Sequence, residues 1–208
     1  MEYNAERMEI ITDREIGELD RFAIKFLQVL EKYAEYVVIS GYVSILLGRT
    51  RATEDIDVFI KPINKKTFSN LYAELKEKGF WCLNAEDENE IFIYLEEGYA
   101  VRFAETRHGT PNFEVKFPKD ELDEETFDNF ITVIHPEFKI KISSLERQIA
   151  FKRYYLSSYK DVDDALHLEE MFREKIDYDK VNKFKELIKN RKNGNKRQEN
   201  FYESWKDK

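Results

Sequence analysis

Two carboxylates lie one residue apart at Asp55 and Asp57, directly before an apolar run. In a β-strand, side chains at i and i+2 point to the same face, so the two acids share a face while Ile56 and Val58 point to the other. Carboxylates this close repel and raise each other's pKa, and a divalent cation relieves the repulsion. The pair therefore predicts a Mg²⁺ or Mn²⁺ site, because these ions take hard oxygen ligands. The alternative is that Asp-x-Asp marks solvated acids in a loop.

A short turn lies upstream of the acids. The sequence predicts a buried strand over 36–40 and a short helix over 42–48, joined at Ser40 and Gly41. Gly41 permits close approach of a phosphate, and free backbone N–H groups at the start of a helix attract an anion. We expect this turn to bind the phosphates of a nucleotide. An ordinary serine helix cap is the competing interpretation.

Arg51 and Thr53 alternate just before the two acids. An arginine here is placed either to neutralise a triphosphate or to form a structural ion pair with Asp55. We expect both residues to take part in nucleotide binding.

The periodicity along the chain predicts an α/β fold: a small mixed sheet followed by a helical C-terminal extension. The predicted division is a core over 1–142, with an N-terminal helix, and a helical region over 143–208 with a basic tail. Predicted helices cover 13–35, 42–48, 63–79, 119–130 and, with breaks, 143 to about 192. Predicted strands cover 36–40, 55–61, 80–84, a hairpin of 91–96 with 99–105, 112–117, 131–134 and 138–142.

The motif S-G-Y-V-x-x-L-L-G-x-x-R-x-T-x-D-I-D, from Ser40 to Asp57, resembles the first motif of the nucleotidyltransferase fold superfamily. That superfamily includes DNA polymerase β-like enzymes, kanamycin nucleotidyltransferase and the minimal nucleotidyltransferases. The R-x-T-x-D-x-D form is most similar to the branch that contains abortive-infection toxins of the AbiEii type. In that branch the turn is usually Gly followed by Gly or Ser, whereas here Ser40 precedes Gly41.

The resemblance implies a third carboxylate on a neighbouring strand. Glu114, in the predicted strand 112–117, is our candidate for a metal ligand and catalytic group, and Glu105 is its competitor. The alternative for Glu114 is an exposed strand residue that pairs with Lys116 or Lys141.

A second resemblance lies in the helical region. Lys152, followed by Lys160, Asp161 and Asp164, is similar to the later AbiEii-type motif of a lysine followed by R/K-D-x-x-D. The resemblance implies that Lys152 balances charge on the leaving pyrophosphate and that the other three lie near the nucleotide. Capping is the competing interpretation: Asp161 as a helix N-cap with Asp164 in the first turn.

The implied activity is transfer of a nucleoside monophosphate from an NTP to an acceptor hydroxyl with release of pyrophosphate. The resemblance implies two Mg²⁺ or Mn²⁺ ions held by Asp55 and Asp57, one with the triphosphate and one with the acceptor, while Glu114 helps to hold the second ion and accepts the proton of the acceptor. The expected acceptor is RNA, such as tRNA, or a protein, and a toxin would have an antitoxin partner; a small-molecule acceptor stays open. Two other classes remain: a non-catalytic nucleotide or RNA binder with the same fold, and a structural partner such as an antitoxin.

Composition limits the remaining classes. The 208 residues are 42% hydrophobic and 14% aromatic with a net charge of −8, which is typical of a folded domain. Residues 183–208 carry net charge +5 and the remainder −13, so the tail is either an RNA contact or a solvated terminus. One cysteine and three scattered histidines argue against disulfides and zinc. With no apolar span or signal segment, we expect a cytoplasmic protein without a membrane partner.

Overall fold

The computed structural model describes residues 1–206, with side chains described for residues 1–193. The chain divides into two compact units, Met1–Ser144 and Leu145–Lys208. The predicted α/β architecture with a helical C-terminal part is confirmed. Most of the predicted RNA-contacting tail, from residue 194 onward, lies outside the residues whose side chains are described.

The first unit contains a mixed sheet of nine strands in the order β1-β2-β8-β9-β3-β4-β7-β6-β5. The pairs β2–β8, β3–β9 and β4–β7 are parallel, and the others are antiparallel. The strands are β1 Glu2–Asn4, β2 Glu9–Ile11, β3 Tyr36–Ile39, β4 Asp55–Ile60, β5 Phe80–Cys82, β6 Val101–Glu105, β7 Asn112–Lys116, β8 Phe130–His135 and β9 Phe138–Ser143.

Five α-helices belong to the first unit and three to the second. The first five are α1 Glu18–Leu30, α2 Gly41–Leu46, α3 Lys65–Glu77, α4 Glu88–Glu96 and α5 Glu121–Glu124, with a 3-10 turn at Glu125–Phe127. The second unit consists of α6 Leu145–Phe151, a π-helical turn Lys152–Leu156, α7 Tyr159–Met171, a 3-10 turn Arg173–Lys175 and α8 Tyr178–Lys206. Among the described residues, no helix has the length and apolar character needed to cross a bilayer.

Helix α1 covers one face of the sheet through an aromatic cluster. The Phe26 ring stacks on Phe113 of β7 at 4.0 Å between centroids and meets Phe80 edge-on at 5.1 Å. Burial of these large rings is a main source of stability in this unit. Because side chains alternate along β7, the residues on either side of Phe113 face away from α1.

The first turn of α1 is held by a buried carboxylate. Asp20 is 3% exposed and accepts hydrogen bonds from the Gly17 N–H at 2.8 Å and the Tyr42 hydroxyl at 2.8 Å, and it pairs with Arg14. Burial by itself would raise the pKa of Asp20, but these donors hold it below its ordinary value. Since Tyr42 lies in α2, Asp20 also fixes the helix that follows the Ser40-Gly41 turn.

Several predicted elements differ in the structure, and the helix expected over 119–130 is only α5 with the 3-10 turn that follows it. Residues 91–96, expected as a strand of a hairpin, form the end of α4, because Asp87 caps the N–H groups of Asn89 and Glu90 and Ile91 and Leu95 are buried at helical spacing. A short apolar run is compatible with both the helical and the strand period, so the N-cap Asp87 determines that this segment is a helix. Helix α1 begins at Glu18 rather than at residue 13, since Asp20 closes its first turn on Gly17 and not on Thr12.

We predict that Asp20→Asn lowers the free energy of unfolding at pH 7 by about 2 kcal/mol, because Arg14 loses its buried partner. The folded pKa of Asp20 lies below the unfolded value of about 3.9, so its contribution is present above that pH and is lost as pH falls through the folded pKa. Urea unfolding at a series of pH values should show the gap between wild type and variant closing towards acid.

The matched control is Glu18→Gln, an exposed acid in the same helical turn, which should change stability by less than about 0.5 kcal/mol. A gap between wild type and Asp20→Asn that stays constant with pH would contradict this account of Asp20.

Candidate active site

The two predicted acids lie at the N-terminal end of β4, on the sheet face opposite α1. Strand β4 pairs in parallel with β7 in a register that sets Asp57 directly opposite Glu114 and Ile56 opposite Phe113. Phe113 packs under α1, so Asp57 and Glu114 share the other face. The backbone register therefore brings Glu114, which is distant in sequence, beside the Asp55-Asp57 pair.

Two cations occupy the space around Glu114. The Lys116 ammonium lies 2.7 Å from Asp57 Oδ1 and 3.0 Å from Glu114 Oε2. Arg102 of β6, directly opposite Glu114, donates from Nε to Oε1 at 2.8 Å. Both oxygens of Glu114 therefore face a cation, and the three acids and two cations leave one net negative charge.

The charges in this cluster perturb one another. Burial raises the pKa of Asp57, and the neighbouring Glu114 and Asp55 charges raise it further, while Lys116 opposes them. Burial would raise the pKa of Glu114, but Lys116 and Arg102 hold it below its ordinary value. Burial would lower the pKa of Lys116, yet Asp57 and Glu114 keep it above the ordinary value, so Lys116 stays an ammonium.

The Ser40-Gly41 turn adjoins the acids because β3 runs antiparallel to β4, with Ile39 opposite Asp57. Ser40 has φ 65° and ψ −136°, a backbone conformation that L-residues rarely adopt and that glycine adopts freely. Its side chain makes no capping hydrogen bond to α2, which argues against the ordinary serine cap. The strain is held by the surrounding structure, as is common at ligand sites.

The predicted arginine and threonine lie against this turn. A Cβ built on Gly41 would come 3.2 Å from Arg51 Nη2 and 3.4 Å from Thr53 Oγ1, so only glycine leaves both undisturbed. The Thr53 hydroxyl also lies 3.2 Å from Asp55 Oδ1. The first motif thus forms one contiguous cluster of Ser40, Gly41, Arg51, Thr53 and Asp55.

The competing acid, Glu105, lies elsewhere. It pairs with Lys25 of α1 and stands opposite Phe80 in β5, so it belongs to the face that α1 covers. Alternation along β6 places Arg102, three residues earlier, on the face of Asp57. Of the two candidates for a third carboxylate, only Glu114 shares a face with the Asp55-Asp57 pair.

Several solved structures resemble the chain. The solution structure of the antibiotic-resistance factor ANT(2'')-Ia matches with a TM-score of 0.51 and 12% identity over 89% of this chain and 100% of that chain. The crystal structure of ANT(2'')-Ia in complex with adenylyl-2''-tobramycin matches with a TM-score of 0.46 and 13% identity over 80% of this chain and 94% of that chain. The crystal structure of an antigenic nucleotidyltransferase-like protein from Paracoccidioides brasiliensis matches with a TM-score of 0.47 and 17% identity over 72% of this chain and 74% of that chain. No protein-family model and no curated protein sequence matches the chain.

The chain has a nucleotidyltransferase fold. This is the fold that the resemblance in the first motif implied. The closer similarity to the AbiEii-type branch stays a prediction.

Within this nucleotidyltransferase fold, the Asp55-Asp57 pair fits one divalent cation. The two carboxylates share a face, and carboxylate oxygens are hard ligands of the kind that Mg²⁺ and Mn²⁺ take. Glu114 does not fit as a third ligand in this arrangement, because Arg102 and Lys116 take its oxygens. Across the described residues, no three His, Cys, Asp or Glu side chains are placed to hold a metal ion together.

The second predicted motif lies wholly in the C-terminal unit. Lys152, at the start of the π-helical turn, is 1% exposed and donates to Asp164 Oδ2 at 2.7 Å, with Asp161 Oδ1 at 3.9 Å. Ser158, not Asp161, is the N-cap of α7, and Asp161 completes its capping box. Lys160 is exposed. Three of the four residues thus form a local ion cluster, and their nucleotide role stays a prediction.

The sequence did not single out Arg102 as a site residue, and named Lys116 only as an ion-pair partner in an alternative. Lys116 had a signal, since it lies two residues after Glu114 and must share its face. Arg102 had none, because its place opposite Glu114 depends on the register of β6 with β7.

We predict that Ser40→Gly raises the free energy of unfolding by about 1 kcal/mol. Relief of the strained backbone, about 1–3 kcal/mol, exceeds the larger entropy that glycine loses on folding. The control is Ser44→Gly inside α2, which should lose about 0.5–1 kcal/mol. Chemical denaturation measures both, and a loss of stability in Ser40→Gly would show that the hydroxyl itself stabilises the turn.

We predict that Lys152→Met lowers the free energy of unfolding by about 3–5 kcal/mol, since it leaves Asp164 charged and fully buried without its ammonium partner. The double variant Lys152→Met with Asp164→Leu should regain most of that loss. Lys160→Met, at an exposed site eight residues later, should stay within about 0.5 kcal/mol of wild type in the same denaturation experiment.

Proposed function

We propose that the protein transfers a nucleoside monophosphate from a nucleoside triphosphate to an acceptor hydroxyl. The acceptor oxygen forms a bond to the α-phosphorus and its proton passes to solvent water, while the bond from the α-phosphorus to the α–β bridging oxygen breaks and pyrophosphate leaves with that electron pair. The observation that carries the proposal is the strand register around Asp57, which stands opposite Glu114 of β7 and opposite Ile39 of β3, the residue before the Ser40-Gly41 turn.

Each residue of the first motif has a role in this proposal. Asp55 and Asp57 hold one Mg²⁺ or Mn²⁺, which when bound neutralises triphosphate charge and assists the departure of pyrophosphate. The Ser40-Gly41 turn offers its backbone to the phosphates, and Arg51 beside it supplies a guanidinium for a phosphate oxygen. Thr53 orients the Asp55 carboxylate through its hydroxyl.

The remaining predicted residues act on the arrangement more indirectly. Glu114, with its low pKa and both oxygens engaged, is a poor proton acceptor and serves to position Lys116 and Arg102. In the C-terminal unit, Lys152 with Asp161 and Asp164 fixes the start of α7. Lys160 is the exposed cation of that motif and the member placed to meet phosphate charge from solvent.

The acceptor proposals come from the sequence resemblance: RNA, such as a tRNA end, or a protein hydroxyl, with a toxin role and an antitoxin as partner. The excess of basic residues after position 182 favours RNA among them. Incubation with α-labelled NTPs and each acceptor class, including a small-molecule polyol, distinguishes these acceptors by which product carries the label.

A non-catalytic nucleotide binder is the second candidate, and one observation favours it. Arg102 and Lys116 neutralise Glu114, so the three-carboxylate platform expected of the superfamily is not presented to a ligand. Thermal stabilisation by an NTP with Mg²⁺, without incorporation of label into any acceptor, would support this candidate over transfer.

We predict that Asp55→Asn and Asp57→Asn each reduce label incorporation by about 10²-fold or more, because the neutral amide no longer holds the cation that offsets phosphate charge. Both variants should fold normally, because Asn has nearly the shape of Asp and burial already disfavours the charged form of Asp57, as its raised pKa indicates. Glu54→Gln, an exposed neighbouring acid, is the matched control and should keep full activity. Undiminished incorporation by Asp55→Asn and Asp57→Asn would sink the transfer mechanism.

A further inference from the structure

We propose that the Lys116 ammonium is a tethered cation that takes the position between Asp57 and Glu114, so that the site binds one divalent cation and not two. The inference rests on the proposed function, since it concerns how the same carboxylates hold their cations. It replaces a pair of metal ions with one metal ion and one side-chain ammonium.

The first argument is geometric. Lys116 Nζ lies within 3.0 Å of one oxygen from each acid, the bridging position that a cation shared by Asp57 and Glu114 would take. The strand register fixes the backbone positions of these three residues. Asp57 and Glu114 face each other across the β4–β7 pair, and Lys116 lies two residues after Glu114 on the same face.

The second argument concerns charge. Arg102 binds the other oxygen of Glu114, so that both Glu114 oxygens are saturated while Lys116 is in place. A second divalent cation would have to displace the ammonium and would then lie beside two cations already attracted to the same acids. Asp55 pairs with neither Lys116 nor Arg102 in these contacts, and its Oδ1 is oriented by Thr53, which leaves the Asp55-Asp57 side for the one metal ion.

The third argument concerns exposure. The side chains of Asp57, Glu114 and Lys116 retain 16%, 12% and 26% of their full exposure. Charges that are this far from bulk water attract more strongly than surface pairs, so the ammonium is a strong competitor for a dissolved ion. Removal of its charge leaves three carboxylates and one guanidinium, a net charge of −2 that attracts an additional cation.

The experiment measures Mn²⁺ binding to the full chain without nucleotide. Binding is monitored by calorimetry and by the loss of the electron paramagnetic resonance signal of free Mn²⁺. We expect one Mn²⁺ per chain in the wild type and two in Lys116→Met, which is one atom shorter than lysine, is also unbranched and carries no charge. Lys116→Arg should bind one, because the positive charge remains. Lys61→Met, which removes an exposed lysine 3.0 Å from a single carboxylate, is the matched control and should bind as wild type does.

Two results would overturn the proposal: two ions in the wild type, or equal stoichiometry in the wild type and Lys116→Met. Glu114→Gln adds a separate check, since it should still bind one Mn²⁺ per chain, whereas loss of that ion would make Glu114 its ligand and the proposal wrong. Circular dichroism verifies folding, and Lys116→Gln replaces Lys116→Met should that variant not fold.

These outcomes are independent of turnover. An extra Mn²⁺ in Lys116→Met without label transfer by the wild type would reject the proposed function and keep the cation arrangement. Label transfer by the wild type, together with the same Mn²⁺ stoichiometry in the wild type and Lys116→Met, would support the proposed function and reject the cation arrangement.

Discussion

The parallel pairing of β4 with β7 is the constraint on which the rest of the site depends. Its register sets Asp57 against Glu114, and two carboxylates held this close on a partly buried face require compensating charge. Lys116 and Arg102 supply that charge from the same strand and from the next one. The arrangement of cations around the acids is therefore a consequence of strand register.

A second constraint acts on the turn beside the acids. Ser40 adopts a glycine-like backbone conformation, and Gly41 has the Arg51 guanidinium and the Thr53 hydroxyl against it. Ser40 is strained where glycine would not be, and a Cβ at position 41 would require the Arg51 guanidinium to shift by a few tenths of an ångström. The buried Tyr42–Asp20 hydrogen bond holds α2, and with it the turn, in place from the far side.

Sequence reasoning reached the parts of this structure that are set locally. The spacing of Asp55 and Asp57 and the alternation in β7 suffice to place acids on one face, and the helical C-terminal part follows from periodicity. Sequence reasoning failed where a distant strand partner or an N-cap determines the secondary structure. Helix α4 depends on its cap Asp87, and strands β1 and β2 at the N-terminus, with three residues each, are too short to show an alternating pattern. The place of Arg102 depends on the pairing of β6 with β7, which no local pattern specifies.

Strand β4 lies in the interior of the sheet, with β3 on one side and β7 on the other. Its amides are bonded on both sides, so opening of this strand requires two ladders to break, and its hydrogen exchange should be among the slowest in the unit. The backbone under the acids is thus nearly fixed, while Lys116 reaches them on a stem of four methylenes. Rearrangement of charge at the site therefore proceeds by side-chain rotation, on a time scale far shorter than that of any strand motion.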